Sequence, residues 1–108
     1  MALEMPKPIQ NYFDADKSDG QSIVPCFTED AVVRDEGKTY MGHDAIRRWK
    51  EESAAKYTYT SEPFAVETNG GRTVVSSHLV GDFPGSPVDL RYTFLLRGDR
   101  IAALEIAP

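Results

Sequence analysis

The sequence is poor in the side chains that usually build metal and disulfide sites. It has one cysteine, Cys26, and two histidines, His43 and His78, in 108 residues. A single cysteine cannot close an intramolecular disulfide, so nothing in the chain requires an oxidising compartment. The histidines do not show zinc-binding spacing, and we expect no metal. His43 lies at the start of a predicted helix and is expected to be exposed, whereas His78 is expected on the outer face of a strand or in a dimer contact.

Positive charge and long apolar segments are also scarce. The 12 Lys and Arg residues are outnumbered by 17 Asp and Glu residues, which gives a net charge of −5 and argues against nucleic-acid binding. No apolar run approaches the ~20 residues of a membrane span, and the first ten residues lack the apolar core of a signal peptide. We therefore expect a cytoplasmic protein without membrane contact. Because no phosphate-binding loop and no G-x-S-x-G motif occur, we expect no cofactor and no serine triad.

Apolar residues are present in the proportion expected of a folded domain. They make up 41% of the chain, and 10% of all residues are aromatic. At this length and composition we expect one globular domain covering residues 1–108.

The first half of the chain shows helical periodicity. Apolar residues at i, i+3 and i+4 predict a helix over Ile9–Lys17, and a shorter helix is predicted through Ile23–Phe27. A third helix begins near Gly42 and places Ile46, Trp49 and Ser53 on one side. The charged residues of that helix are expected in solvent: Arg47, Arg48, Lys50, Glu51 and Glu52.

The second half changes to the alternation of period two that is typical of strands. After a short strand at Ala31–Asp35, which ends in a Glu36-Gly37-Lys38 turn, the long strands come late in the chain. They are separated by turns at residues 69–71, 84–87 and 98–99, and are predicted over Tyr59–Thr68, Arg72–Phe83, Val88–Arg97 and Arg100–Ile106. Helices gathered first and strands last predict an α+β fold with an antiparallel sheet.

Three short motifs carry a resemblance to a known family. They are F-x-x-D-A at Phe27–Ala31, G-x-D-A-I at Gly42–Ile46, and G-D-R-I-A from Gly98. With them, the chain from about Ile9 to Ile106 resembles the NTF2-like superfamily, in its SnoaL-like and ketosteroid-isomerase-like branch. The resemblance implies a cone in which a strongly curved antiparallel sheet wraps around three N-terminal helices, with one apolar pocket. It also implies a homodimer that forms through the sheet.

The resemblance singles out Asp35 as a candidate catalytic residue. In ketosteroid isomerases this place in the motif holds the aspartate that moves a proton at a carbon next to a carbonyl group. That enzyme is a well-known example of such a site. The chemistry needs a carboxylate beside the substrate in a pocket that limits competition from water. The alternative is that Asp35 only caps backbone amides in the turn at Glu36-Gly37.

The same family uses hydrogen-bond donors for the oxyanion that develops on the substrate. The position on the first helix falls on Tyr12, or on Asn11 if no residue is deleted before Phe27. The position on a late strand falls on Tyr92, where the steroid isomerases have a carboxylic acid, so the sequence departs from their pattern. Buried aromatic residues are also commonly core residues without a chemical role.

Two hypotheses about function follow from this pattern. The first is an enzyme with isomerase, cyclase or dehydratase chemistry on a small, largely apolar carbonyl compound. Asp35 would be its general base and Tyr12 and Tyr92 its donors, within pocket walls formed by Phe13, Trp49, Phe64 and Phe94. The second is a non-catalytic cone that binds a small ligand or forms a dimer. The outer sheet face looks apolar enough for a partner sheet, since it carries Val74, His78 and Val80 beside Arg91, Thr93 and Leu95.

Overall fold

Two helices and six strands form one α+β unit in a computed structural model, which describes residues 4–16 and 23–108. Helix α1 (Lys7–Asp16) is followed by a 3₁₀ turn (Val24–Cys26), and helix α2 (Gly42–Lys56) follows the first two strands. The strands are β1 (Phe27–Asp35), β2 (Lys38–Met41), β3 (Tyr59–Asn69), β4 (Arg72–Gly81), β5 (Val88–Arg97) and β6 (Arg100–Ala107). The predicted α+β class, with helices early and long strands late, is confirmed.

The six strands form one curved sheet that does not close, in the order β2-β1-β6-β5-β4-β3. Neighbouring strands are antiparallel except β1 and β6, which run parallel. The register shifts within three of the pairs, and such irregularities bend and twist a sheet. The parallel pair joins the first strand to the last, so the sheet wraps back toward the helices that the chain forms early.

The beginning of the sheet differs from the sequence-based prediction. The helix expected over Ile23–Phe27 is only the three-residue 3₁₀ turn, and β1 begins at Phe27 instead of Ala31. Strand β2 was missed because its four residues, three of them exposed, are too few to show an alternating pattern. The predicted helix break at residues 18–20 lies outside the described residues.

The hydrophobic core lies between the helices and the concave face of the sheet. Helix α1 contributes Ile9, Tyr12 and Phe13, and helix α2 contributes Ile46 and Trp49. Tyr12 and Phe13 pack edge-on against the ring of Phe94, at centroid distances of 5.6 and 6.0 Å. This aromatic cluster fixes α1 against β5 and thereby sets the position of the Tyr12 side chain.

The convex face of the sheet is exposed and carries several large apolar side chains: Met41, Phe64, Val80 and Leu95. His78 also lies there, as predicted, with its Nδ1 2.6 Å from a carboxylate oxygen of Asp89 on the neighbouring strand. Among the described residues, no helix is both long and apolar enough to span a membrane.

Candidate functional site

A cavity of about 890 Å³ opens at one end of the cone. It lies where β1 ends, β5 begins and α2 crosses the sheet, and its apolar wall includes Leu79, Val88, Leu90 and Ile106. Its polar and aromatic wall brings together six side chains from five elements: Tyr12, Asp35, Trp49, Lys50, Tyr59 and Tyr92. An apolar cavity with a few convergent polar groups is the usual form of a small-molecule site.

Asp35 lines this cavity at the end of β1. Its Oδ2 accepts a hydrogen bond of 3.0 Å from Nε1 of Trp49, which fixes the carboxylate from helix α2. Burial raises the pKa of Asp35 above its usual value, while the Trp49 bond and the backbone amide of Glu36 oppose the rise. The carboxylate contacts the Glu36 turn and also lines the cavity, so capping of the turn is not its only contact, and its catalytic role stays a prediction.

Three tyrosines approach the same cavity. Tyr12 and Tyr92 are almost fully buried, with ring centroids 6.4 Å apart, and Tyr59 reaches the cavity from β3. Burial raises the pKa of Tyr92 to about 12 and that of Tyr12 well above its usual value, and the nearby Asp35 charge acts in the same direction. Both hydroxyls are therefore protonated at neutral pH and able to donate. The alternative residue on the first helix, Asn11, is exposed, so Tyr12 is the one that faces inward.

A buried ionic cluster forms a second polar part of the wall. Lys50 is only 5% exposed, and its Nζ donates a 2.6 Å hydrogen bond to the Tyr59 hydroxyl and forms an ion pair with Asp16. The Tyr59 hydroxyl in turn donates to the Asp16 carboxylate, at 3.3 and 3.4 Å from its two oxygens. Burial lowers the pKa of Lys50 to about 8. The ion pair with Asp16 favours the charged ammonium form.

The prediction that Lys50 lies in solvent was wrong. Its position in the helix gives the better indication, since Ile46, Trp49, Lys50 and Ser53 occupy i, i+3, i+4 and i+7 and so share one face. The charge of Lys50 predicts an exposed side chain, whereas its spacing predicts a buried one, and the structure agrees with the spacing. Asp16, at the end of α1, provides the partner that makes burial of the ammonium group tolerable.

The predicted aromatic walls divide into three groups. Trp49 lines the cavity, as expected. Phe13 and Phe94 do not line it, because they pack in the core beneath it, deeper along α1 and β5. The prediction was wrong for Phe64, which is 53% exposed on the convex face, because the register shifts between Pro63 and Ala65 and reverses the alternation.

The two histidines do not take part in the cavity. His43 is half-buried instead of exposed, since its Nε2 donates a 3.0 Å hydrogen bond to the Phe27 carbonyl oxygen and ties the start of α2 to β1. His78 lies on the opposite face of the sheet. Within residues 4–16 and 23–108, no group of three or more His, Cys, Asp or Glu side chains has the arrangement of a metal site.

Comparison with known proteins agrees with this architecture. Residues 9–103 match the SnoaL-like domain family, and the chain belongs to that family. Its fold is the NTF2-like α+β cone. The sequence matches no curated protein.

Three solved structures share this fold at sequence identities that range from 39% to 16%. A candidate polyketide cyclase from Sinorhizobium meliloti is 39% identical, with a TM-score of 0.90 and 95% of each chain covered. A protein with a ketosteroid isomerase-like fold from Catenulispora acidiphila, solved in complex with trimethylamine, is 17% identical with a TM-score of 0.85, over 97% of this chain and 87% of that one. TerC, co-crystallised with polyporic acid, is 16% identical with a TM-score of 0.79, over 95% and 91%. The last two show a shared fold only.

Proposed function

We propose that the cavity binds a small, largely apolar carbonyl compound and that Asp35 acts on it as a general base. The observation that carries the proposal is the Asp35 carboxylate on the cavity wall, held by Trp49 and facing a space that Tyr12 and Tyr92 also line. Ionisable groups with shifted pKa values that converge on one cavity are typical of reactive sites.

The proposed step is proton removal from the carbon next to the carbonyl group. Asp35 takes the proton, the C–H electron pair forms the enolate double bond, and negative charge moves to the carbonyl oxygen. Tyr12 and Tyr92 donate hydrogen bonds to that oxygen, which stabilises the charge where it develops. The raised pKa of Asp35 makes it a stronger base than an exposed aspartate, and the raised pKa values of the tyrosines keep them as donors.

The enolate can then react in two ways that agree with the family. Return of the proton to another carbon would be an isomerisation, and attack of the enolate carbon on a second carbonyl group would close a ring. The 39% identical Sinorhizobium protein is described as a candidate polyketide cyclase, which favours the second reaction for this chain.

The proposal is tested with 2-acetylnaphthalene, whose methyl protons exchange with deuterium through the enolate. We expect the protein to accelerate this exchange, as followed by NMR, and Asp35→Asn to slow it about 100-fold or more, which is the usual contribution of a general base. The matched control is Asp30→Asn, the same change at an exposed carboxylate of the same strand, which should retain the rate.

The alternative is a binding module without catalysis. It requires that 2-acetylnaphthalene changes the fluorescence of Trp49, the single tryptophan, without any acceleration of exchange. It also requires that Asp35→Asn leaves the affinity unchanged. That pair of results would contradict the catalytic proposal and leave the cavity as a ligand-binding site.

We also propose that the chain forms a homodimer through the convex sheet face. The support is three exposed apolar side chains on that face, Phe64, Val80 and Leu95. Along β4 and β5, exposed residues of the convex face alternate with residues that are buried in the core. A monomeric mass in light scattering at micromolar concentration would contradict this proposal.

A further inference from the structure

The buried ammonium group of Lys50 is not used by the reaction proposed above. A lysine that is 5% exposed is normally retained for a structural or functional role, because removal of its charge from water costs several kcal/mol. One reason is structural, since the cluster ties α1, α2 and β3 together through Asp16, Lys50 and Tyr59. The position of the cluster in the cavity wall suggests a second reason.

Lys50 and Tyr59 line the cavity, whereas Asp16 does not. The Lys50–Asp16 ion pair therefore lies directly behind the cavity wall, with Lys50 on the cavity side. Nζ also lies 5.5 Å from the ring centroid of Trp49 and 5.3 Å from that of Tyr59, so two aromatic faces favour a cation at this point.

Trp49 connects this cation to the candidate base. Its indole nitrogen donates to Asp35 and its ring faces Lys50, so one side chain contacts both the candidate base and the buried ammonium group. A ligand that spans the indole would place a C–H bond near Asp35 and a second group near Lys50. The chemistry that suits the second position is an acidic oxygen, because the ammonium group has three N–H donors and Tyr59 and Asp16 accept only two of them.

We propose that Lys50, oriented by Tyr59, forms an acid-binding subsite, so that the ligand is a carbonyl compound carrying a carboxylate or an acidic hydroxyl group. This proposal rests on the proposed function for the position of the carbonyl group, but not on catalysis. In the free protein Asp16 neutralises Lys50, and an acidic ligand takes over part of that role. Lys50 is thus a specificity-determining residue.

The test compares two probes of equal shape, 6-acetyl-2-naphthoate and 6-acetyl-2-naphthamide, by titration calorimetry. We expect the acid to bind the wild-type protein about 10-fold more tightly than the amide or better, because a hydrogen bond to a charged group is the stronger kind. Lys50→Met should reduce this ratio to about one. Arg48→Met removes the same charge from an exposed position of the same helix and should leave the ratio unchanged.

Two further variants separate ligand recognition from a structural role. Lys50→Met alone leaves Asp16 buried without its cation, so the double variant with Asp16→Asn removes both charges, keeps the cluster neutral and should also lose the ratio. Asp16→Asn alone releases the ammonium group from its internal partner and should tighten binding of the acid without affecting the amide.

The opposite results would overturn the proposal. An acid-binding subsite would be refuted if the wild-type protein bound acid and amide equally or bound neither probe. It would also be refuted if the double variant kept the wild-type preference for the acid over the amide. So would loss of acid binding in a folded Asp16→Asn variant, since that is the result of a purely structural cluster. Deuterium exchange in the acetyl group of the same probes reports on Asp35 separately, so failure of catalysis and failure of acid recognition are distinguishable.

Discussion

Replacement of Gly81 by alanine should destabilise the fold through a clash at the edge of the cavity. Gly81 pairs with Tyr59 across β3 and β4, and an added Cβ would lie 2.6 Å from the Tyr59 Cβ and closer still to the Thr58 carbonyl oxygen. Neither atom can rotate away, because the Thr58 amide donates to Asp82 at 2.8 Å and its carbonyl accepts from the Asp82 amide at 3.1 Å. The start of β3 is thus held on both sides.

The cost can be placed at the upper end of the range for overpacked sites. Such substitutions destabilise by about 1–3 kcal/mol, and contacts with fixed backbone atoms favour about 3 kcal/mol here. For a chain of about 100 residues this corresponds to a fall in Tm of about 12 °C. Because Tyr59 must move, the Lys50–Tyr59 hydrogen bond should also be lost.

Thermal and urea unfolding measure this effect, with Gly98→Ala as the control. Gly98 has φ +62° and open space around the position of a Cβ, so its replacement adds only backbone strain of about 1 kcal/mol. If Gly81→Ala costs no more than Gly98→Ala, then β3 is not held against β4 in the way described, and the placement of Tyr59 would be refuted.

Three further predictions concern the base and the aromatic residues. Trp49→Phe removes a hydrogen bond that lowers the pKa of Asp35, so the rising limb of the exchange rate should move to higher pH, and an unmoved limb would contradict the role of the indole. Burial holds the folded pKa of Asp35 above its unfolded value, so its ionisation reduces stability as pH rises through the folded value. Asp35→Asn should therefore raise the Tm at pH 7, by a margin that shrinks as pH falls below the folded pKa and is gone below the unfolded pKa of about 4, and a lower Tm at pH 7 would be inconsistent with this sign. Phe94→Ala should cost about 3–5 kcal/mol in urea unfolding because the ring is fully buried, whereas Phe64→Ala should cost about 0.5 kcal/mol or less at protein concentrations where the chain is monomeric; equal losses there would contradict the assigned positions.

The elements of the fold were predictable because local patterns are strong in this chain. Glycine-containing turns separate the long strands, and the predicted strand beginning at Val88 ends at Arg97 in the structure as well. The alternation also assigned Tyr92 and Phe94 to the same face, which both occupy in the buried core. Depth along a strand was not predictable: Tyr92 reaches the cavity and Phe94 lies below it, although sequence alternation treats them alike.

The site was harder to predict because it depends on contacts between distant residues. Asp35 and Tyr12 were found through the family motif, yet their pKa shifts arise from burial that no local pattern reports. Asp16 and Tyr59 are 43 residues apart, and their meeting around Lys50 is a consequence of the sheet wrapping over both helices. A charged residue on the apolar stripe of a helix was the one local signal available.

The two ends of the cone are stabilised by different interactions. At the closed end, Phe13 and Phe94 pack edge-on with ring centroids 6.0 Å apart, an arrangement that stabilises the fold and needs no polar partner. At the open end, a carboxylate and an ammonium group are both withdrawn from water, and each needs a dedicated partner, Trp49 or Asp16. Folding alone favours apolar side chains at such positions, since replacement of buried ion pairs by apolar residues is often neutral or stabilising. Charged groups retained on the wall of an open cavity are therefore better explained by a ligand than by stability, which is why we propose that Asp35 and Lys50 contact the same bound molecule.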